Sequence, residues 1–81
     1  MADWHIYLVR CADGSLYAGI STDVLKRMKK HNDGNGAAYT RSRRPVVLVW
    51  KEKATSESHA RKREAEIKGW TRAMKEDLIR L

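Results

Sequence analysis

Two short apolar runs near the start of the chain, separated by a turn, limit the fold more than any other feature. The runs are His5–Val9 and Ser15–Ile20, and Cys11-Ala12-Asp13-Gly14 lies between them. Short apolar runs on either side of an Asp-Gly turn predict a β-hairpin. Because successive side chains of a strand point to opposite faces of the sheet, the length of this turn decides which side chains lie together.

The positions of two tyrosines depend on the length of the turn. A three-residue loop, Ala12–Gly14, places Tyr7 opposite Gly19 and Val9 opposite Tyr17. Both tyrosines then lie diagonally adjacent on one face of the hairpin, whereas a two-residue loop would separate them onto opposite faces. The longer loop predicts that the other face carries Trp4, Ile6, Leu8, Leu16, Ala18 and Ile20.

Apolar residues at helical spacing follow the hairpin and predict a helix. Ser21 or Thr22 is suited to cap this helix, Asp23 to occupy its first turn, and Gly34 to end it. Its predicted inner stripe consists of Val24, Leu25, Met28 and His31, with Arg27 beside the stripe. The solvent-facing side is predicted to carry Lys26, Lys29 and Lys30.

Two further segments precede the C-terminal third of the chain. The segment from Asp33 to Pro45 combines small residues with three arginines, which predicts a flexible, basic loop. The run Val46–Trp50 is continuously apolar and rich in β-branched residues. Such a run predicts a well-buried third strand.

The C-terminal third has helical spacing. Ser56 is suited to cap one helix and Gly69 to break it, after which residues 72–81 form a short final helix. The first of these helices is predicted to turn inward Ala60, Glu64, Ile67 and either Trp70 or Thr71. The final helix is predicted to turn inward Met74, Leu78 and Leu81.

The charge of the chain favours an anionic partner. Residues 1–81 are predicted to form one domain, in which 17 Lys and Arg outnumber 10 Asp and Glu and give a formal net charge of +7. Nucleic acid is the first candidate partner and an acidic membrane surface the second, while a merely solubilising basic surface is the alternative. No apolar run approaches the roughly 20 residues of a membrane helix. Cys11 is the only cysteine, which fits a reducing cytoplasm.

One inward position on the penultimate helix carries a charge. Glu64 lies on the same stripe as Ala60 and Ile67, whereas Glu66 points to the opposite side. A carboxylate on an inward face is costly unless it is paired or binds a metal. The ordinary interpretation is a salt bridge to one of the nearby arginines, namely Arg27, Arg61 or Arg63. The alternative is a metal ligand at the bottom of a basic cleft.

Four other residues gain meaning only in combination with Glu64. Tyr7, Tyr17, Arg27 and His31 each have an ordinary explanation in packing or surface charge. Together with Glu64 they would supply a phosphate-binding cation, acid–base groups and a metal-binding carboxylate. Hydrolysis of a phosphodiester bond needs these three functions.

The same five positions resemble a known family. The tripeptides His5-Ile6-Tyr7 and Tyr17-Ala18-Gly19 are similar to the GIY and YIG signatures of the GIY-YIG endonucleases. Arg27, His31 and Glu64 stand where that family has its helix arginine, its second acid–base residue and its metal-binding glutamate. The small stand-alone bacterial members are most similar, through the stretches 11–17, 39–41 and 43–45. His5 and Ala18 depart from the signatures at positions that supply no catalytic side chain.

The resemblance implies an α+β fold and a metal-dependent mechanism. The implied architecture is a three-stranded antiparallel sheet flanked by helices in the order β-β-α-β-α-α, as the pattern of apolar residues also predicts. Glu64 would hold one Mg²⁺ or Mn²⁺ ion, and Tyr17 and Arg27 would hold the scissile phosphate. Tyr7 is the implied base or water-orienting group, although a tyrosine pKa of about 10 then requires cationic neighbours or a relay. His31 is an equally suitable base.

The nucleic-acid-binding surface is predicted from the basic residues around this site. It consists of Lys26, Lys30, Tyr39, Thr40, Arg41, Arg43 and Arg44. Phosphate contacts of this kind position a nucleic acid without reading its sequence, so structure-directed recognition is expected, of DNA more than RNA. A repair or recombination protein is the expected protein partner. A non-catalytic binding module of the same fold in a repair complex, and a protein-interaction or membrane-surface module, are the alternatives.

Overall fold

A computed structural model describes residues 3–80, which form a three-stranded antiparallel sheet with helices on both of its faces. The strands are β1 (His5–Arg10), β2 (Leu16–Ser21) and β3 (Val47–Lys53), in the order β2-β1-β3. The helices are α1 (Val24–Asn32), α2 (Ala38–Arg41), α3 (Glu57–Lys68) and α4 (Arg72–Ile79). The predicted α+β class and the order β-β-α-β-α-α are confirmed, with α2 as an additional short helix.

The hairpin of β1 and β2 has the register that the three-residue loop predicts. Tyr7 pairs with Gly19 across the strands. The Cys11 N–H donates to the Ser15 carbonyl over 2.8 Å, and the Gly14 N–H donates to the Cys11 carbonyl over 2.9 Å. Gly14 adopts a φ of 85°, which glycine accepts without the steric cost that a Cβ would bring. Both tyrosines of the hairpin therefore lie on one face.

The sheet is covered on both faces, and the alternation of side chains in β1 divides the core in two. On one face, buried among α3 and its neighbours, are Ile6, Leu8, Ala18, Ala54, Ala60 and Ile67. On the other, beneath α1, are Tyr7, Val9, Cys11, Val24, Met28 and Val46, with Tyr17 and Leu48 at the margin. Full burial of a large apolar side chain stabilises a fold by roughly 1.5–3 kcal/mol. Packing on both faces therefore fixes β1 as the centre of the sheet.

The third strand is less buried than predicted. β3 lies at the edge of the sheet, and the side chain of Val47 is 61% exposed. The pairing with β1 shifts register between Leu8 and Val9, which face Trp50 and Leu48 respectively. Such a bulge places one extra residue in one strand, so Val49 and Trp50 both pack against the core that contains Leu8. An edge strand with a bulge cannot bury a continuous apolar run.

The start of α1 differs from the prediction by one or two residues. Asp23 caps the helix, because its side chain accepts a hydrogen bond from the Lys26 N–H over 3.1 Å. Ser21 instead accepts from the Asp23 N–H with its hydroxyl. The predicted end is confirmed, since Gly34 follows the helix with a φ of 84°.

The buried stripe of α1 is narrower than predicted. Val24, Met28 and His31 are buried against the sheet, but the side chain of Leu25 is 77% exposed. Successive helical residues are turned about 100° from one another. A stripe through Val24, Met28 and His31 therefore turns Leu25 toward solvent.

The segment from residue 33 to 45 is not the flexible loop that its composition predicts, because it contains α2 and two of its three arginines bind within the fold. Arg43 donates to the Asp13 carboxylate over 3.1 Å and to the Tyr39 carbonyl over 2.7 Å. Arg44 donates to the Asn32 carbonyl at the end of α1 over 3.3 Å. These bonds attach the segment to the hairpin turn and to α1.

The C-terminal helices begin at side-chain caps. The Ser56 hydroxyl accepts from the His59 N–H over 3.1 Å, which confirms the predicted cap of α3. Thr71 caps α4 in the same way. None of the helices within residues 3–80 is long and apolar enough to cross a membrane.

The inward face of α4 differs from the prediction. Met74 is 46% exposed, while Leu78 and its neighbour Ile79 pack against the core. Leu81 lies outside the described residues. Arg10 holds the helix to β1 through a two-pronged salt bridge with Glu76, whose shorter distance is 2.5 Å. With Glu76 bound to β1 and Leu78 packed against the core, Met74 lies toward solvent.

Candidate active site

A chain of buried hydrogen bonds connects β1, α1 and α2. The Tyr7 hydroxyl lies 2.8 Å from His31 Nε2, and His31 Nδ1 lies 2.8 Å from Thr40 Oγ1. The Thr40 hydroxyl donates its one proton to the Ala37 carbonyl over 3.0 Å. Thr40 therefore accepts a hydrogen bond from His31 Nδ1–H, which leaves the lone pair of the neutral imidazole on Nε2. Tyr7 consequently donates to His31.

The protonation states of the two ring side chains agree with this direction. Burial lowers the pKa of His31 below its usual 6.5, and the positive charge of Arg27 lowers it further. Burial raises the pKa of Tyr7 above 10.0; Arg27 opposes this rise, whereas Tyr17 and Glu64 add to it. At neutral pH the phenol is protonated and the imidazole is neutral, so the imidazole can accept a proton.

The lowered pKa of His31 predicts a loss of stability in mild acid. Below a pH of about 6.5 the unfolded chain binds a proton at this position that the folded chain resists, so unfolding becomes easier as the pH falls toward the folded-state pKa. Above that pH the contribution of His31 is fully present. Urea unfolding of the wild type between about pH 7.5 and pH 5.5 should show this decline.

The matched variants for this measurement are His31→Gln and His59→Gln. His59 is exposed on the first turn of α3. The decline should be flattened by His31→Gln and retained by His59→Gln. A decline of equal size in both variants would assign the effect to other groups.

Two glycines leave room for these rings. A Cβ on Gly19 would lie 2.5 Å from Cζ of Tyr7, and a Cβ on Gly36 would lie 2.9 Å from Cα of His31. Both distances are too short for carbon atoms in contact. The sequence predicted Gly19 opposite Tyr7 and within a signature tripeptide, and it placed Gly36 in a flexible loop. The structure assigns both glycines to the packing of the site.

Gly19→Ala should destabilise the protein by about 1–3 kcal/mol, because the buried Tyr7 ring cannot move away without disturbing its neighbours. The free energy of unfolding in urea measures this change. Gly69→Ala is the control, since a Cβ there meets its nearest atom at an ordinary 3.5 Å. Equal destabilisation by both substitutions would contradict the proposed reason.

The carboxylate of Glu64 is near this chain of hydrogen bonds. Its side chain is 22% exposed, and among residues 3–80 it forms an ion pair with Lys68, with Nζ 3.8 Å from Oε2. The salt bridges expected with Arg61 and Arg63 are not formed, because those arginines pair with other carboxylates. The negative charge of Glu64 contributes to the raised pKa of Tyr7. The helix α3 packs most closely against β2, which brings Glu64 to the tyrosines.

Arg27 supplies a cation with an unused donor. Within residues 3–80 its Nε is buried and has no hydrogen-bond partner. A buried donor without a partner costs roughly 1–3 kcal/mol. The same guanidinium is close enough to influence the pKa values of Tyr7 and His31. An anion at this point would satisfy the donor.

A column of rings supports Tyr17. Its ring meets the His31 ring edge-on at 5.7 Å and stacks on Tyr39 at 5.5 Å, with an interplanar angle of 22°. Arg43 covers the Tyr39 ring at 4.0 Å. Lys68 Nζ lies 5.1 Å from the centre of the Tyr17 ring. Lys68 is a site residue that sequence reasoning missed; its spacing of four residues from Glu64 on a helix is the signal that could have identified it.

The predicted nucleic-acid-binding residues divide into three groups. Lys26 and Lys30 are exposed on α1, and Arg41 is exposed on α2. Arg43 and Arg44 donate hydrogen bonds within the fold. The Tyr39 ring lies between the Tyr17 ring and the Arg43 guanidinium. Thr40 is fully buried, so the structure places its side chain out of reach of a nucleic acid. Its contact is with His31, because the hydroxyl on the inner side of α2 completes the hydrogen-bond chain.

The donor set fits a divalent ion held by one protein carboxylate. Within the described range 3–80 no group of three or more His, Cys, Asp or Glu side chains could enclose a metal. Mg²⁺ commonly binds through one or two carboxylates, with water and substrate phosphate completing the shell. Glu64 offers hard oxygen donors that accept no hydrogen bond from another described side chain. A single-carboxylate site is therefore compatible with the residues present.

The sheet order and the two tyrosines on one face of the hairpin are found in a known domain family. The chain matches the GIY-YIG catalytic domain over residues 3–77. The protein belongs to the GIY-YIG family, whose nucleases generally use divalent metal ions.

Relatives of similar size share most of this chain. A UPF0213 protein of Staphylococcus epidermidis is 54% identical over 74 residues, which cover 91% of this chain and 90% of that protein. The solution structure of a UPF0213 protein from Bacillus halodurans has a TM-score of 0.60 at 43% identity, covering 95% of this chain and 82% of the other. A protein of E. faecalis has a TM-score of 0.66 at 38% identity, covering 99% and 85%. The names of these relatives do not state a substrate.

Proposed function

We propose that the protein is a metal-dependent endonuclease that hydrolyses phosphodiester bonds in DNA and recognises its substrate by structure. One observation carries the proposal: a buried tyrosine–histidine pair lies beside an arginine with an unused buried donor and a nearby glutamate. In this proposal residues 1–81 act as one nuclease domain. We place the protein in the cytoplasm, where thiols stay reduced, because its one cysteine, Cys11, is a free and buried thiol.

Glu64 is the residue that would hold Mg²⁺ or Mn²⁺. The ion, when bound, would stabilise the negative charge that develops on the phosphate and the leaving oxygen. Lys68 lies 3.8 Å from the same carboxylate. A divalent ion would therefore compete with an ammonium group for Glu64.

Tyr7 and His31 would act together as the general base, in a two-step proton relay. The Tyr7 hydroxyl already donates to His31 Nε2, so it can take a proton from the attacking water as its own proton passes to the imidazole. His31 would keep its other proton on Nδ1, hydrogen-bonded to Thr40, and become an imidazolium ion. The lowered pKa of His31 holds it neutral before reaction. This order places Tyr7 next to the water and His31 behind it.

Arg27 and Tyr17 would hold the scissile phosphate. The buried Nε of Arg27 needs an acceptor, and phosphate oxygens are strong acceptors for a guanidinium. Tyr17 is fixed by the ring of His31 on one side and the ring of Tyr39 on another. A rigid phenol costs little conformational entropy when it binds an anion.

The remaining exposed cations would bind the phosphate backbone without reading bases. Lys26, Lys30 and Arg41 offer flexible side chains at the surface. Contacts to phosphate position a nucleic acid but carry no sequence information. Sequence selection, where the reaction requires it, would come from a repair or recombination protein as partner.

A cleavage screen tests the proposal. Labelled single-stranded, duplex, flap and branched DNA, with the corresponding RNA, are incubated with the protein and Mg²⁺ or Mn²⁺. We expect cleavage of DNA that contains unpaired or branched segments, and none in EDTA. Binding without cleavage of any substrate would favour a non-catalytic module instead. A preference of more than about tenfold for one duplex sequence, roughly 1.4 kcal/mol, would contradict recognition by structure.

A further inference from the structure

An open groove of about 620 Å³ lies beside the proposed active site, between the end of β2 and helix α1. Trp4 and Ile20 form its apolar part, and Lys26 and Lys30 lie on its basic side. Arg27 lines the same groove, while its charge also influences the pKa values of Tyr7 and His31. Arg27 therefore belongs both to the groove and to the proposed active site.

The chemistry of the groove combines an aromatic surface with positive charge. The Trp4 indole is half-buried and packs against the core of the sheet, so it is held in place before any ligand arrives. Three cations line the groove against one acid, Asp23. The Asp23 carboxylate is engaged by the backbone of α1. An aromatic platform bordered by cations suits a base with its phosphate.

We propose that this groove binds one unpaired nucleotide adjacent to the scissile phosphate, with its base on Trp4 and its outer phosphate near Lys26 and Lys30. The proposal rests on the proposed function, because it takes Arg27 as the residue that contacts the scissile phosphate. Arg27 would then lie between the two phosphates that flank this nucleotide. Arg27 lines the groove, and its buried Nε has no partner within residues 3–80, so its guanidinium has hydrogen-bonding capacity left for an anion.

A nucleotide bound in this groove must be unpaired. A base within a duplex has both faces covered by its stacked neighbours and reaches a protein aromatic ring only after it leaves the stack. A nucleotide that is already unpaired incurs no such cost. The groove therefore selects single strands, or junctions at which one strand is unpaired next to the cleaved bond.

Binding measured in EDTA separates this proposal from cleavage. A fluorescent oligothymidylate of about eight nucleotides, within the range that one small domain covers, is titrated with the protein and compared with a duplex. Trp4→Leu should weaken binding of the single strand about 5- to 150-fold, the range for loss of one base–aromatic stack. Duplex binding should change less than about twofold, because phosphate contacts dominate it.

Trp70→Leu is the matched control for the indole. Trp70 is also half-buried against the same core but lies outside the groove, beneath Arg63 at 5.2 Å. This variant should bind the single strand as the wild type does. Equal weakening by both substitutions, or none by Trp4→Leu, would overturn the proposal.

Three neighbouring lysines of α1 supply a second matched set. Lys26 and Lys30 line the groove and Lys29 does not, although all three are exposed. Lys26→Gln and Lys30→Gln should each lower the slope of log affinity against log salt by about 0.7 for the single strand. Lys29→Gln should leave the slope unchanged. Identical slopes for all three variants would refute the assigned path of the backbone.

Photocrosslinking uses the wild-type protein, so its result does not depend on whether a variant folds. An oligonucleotide that carries 5-iododeoxyuridine is irradiated in the complex, and the modified peptide is identified by mass spectrometry. We expect the crosslink at Trp4. A crosslink confined to other residues would refute the proposal, as would binding to phosphatidylserine vesicles with none to the oligonucleotide.

Discussion

Glu64→Gln should lower the rate of cleavage by about a thousandfold or more, a loss of roughly 4 kcal/mol of transition-state stabilisation. The amide has the shape of the carboxylate but carries no charge to hold a divalent ion. Stability should change by less than about 0.5 kcal/mol, because the side chain is partly exposed and its ion pair with Lys68 spans 3.8 Å. Single-turnover cleavage and urea unfolding measure the two quantities.

Glu66→Gln is the control for that substitution. Glu66 belongs to the same helix but is exposed on the other side, where it pairs with Arg63. Its variant should cleave at the wild-type rate. DNA binding by Glu64→Gln should be retained or tightened, since a negative charge is removed from a basic cleft. A Glu64→Gln variant that cleaves at the wild-type rate would refute the proposed metal site.

Tyr7→Phe should lower the rate of cleavage about 10²- to 10⁴-fold, the usual contribution of a positioned acid–base group. The ring of phenylalanine fills the same buried space, but no hydroxyl remains to take the proton of the water. The lone pair of His31 Nε2 also loses its donor, so the stability should fall by about 1–3 kcal/mol. The rate must be measured at a temperature at which the variant is folded.

Tyr39→Phe distinguishes the loss of a reacting hydroxyl from the loss of a ring. The Tyr39 ring stacks on Tyr17 and lies under Arg43, and phenylalanine preserves both contacts. This variant should keep its cleavage rate within about threefold, or roughly 0.6 kcal/mol. A Tyr7→Phe variant as active as Tyr39→Phe would exclude Tyr7 as the base and leave His31 without its relay.

Much of the site could be predicted because its residues are placed by local rules. The Ala12–Gly14 loop sets the register of the hairpin, and the register alone brings Tyr7 and Tyr17 to one face. Helical spacing likewise predicts the buried His31, and it predicts Glu64 on the inner side of α3. Turn length and helical period act over a few residues, so the sequence carries them directly.

Tertiary contacts decided how these residues act on one another. The order from Tyr7 through His31 to Thr40 joins residues 24 and 9 positions apart, and no local pattern reports which hydroxyl meets which ring nitrogen. The same holds for Arg43, which binds Asp13 30 positions away instead of facing solvent. The sequence predicted the hairpin register for a three-residue loop, and it predicted the inward positions of Val24, Met28 and His31, because these follow from backbone geometry. It did not predict that Leu25 and Met74 face solvent. The direction of the hydrogen bond between Tyr7 and His31, the bulge in β3 and the buried Arg27 Nε, which has no partner within residues 3–80, were decided only when distant segments packed together and excluded water.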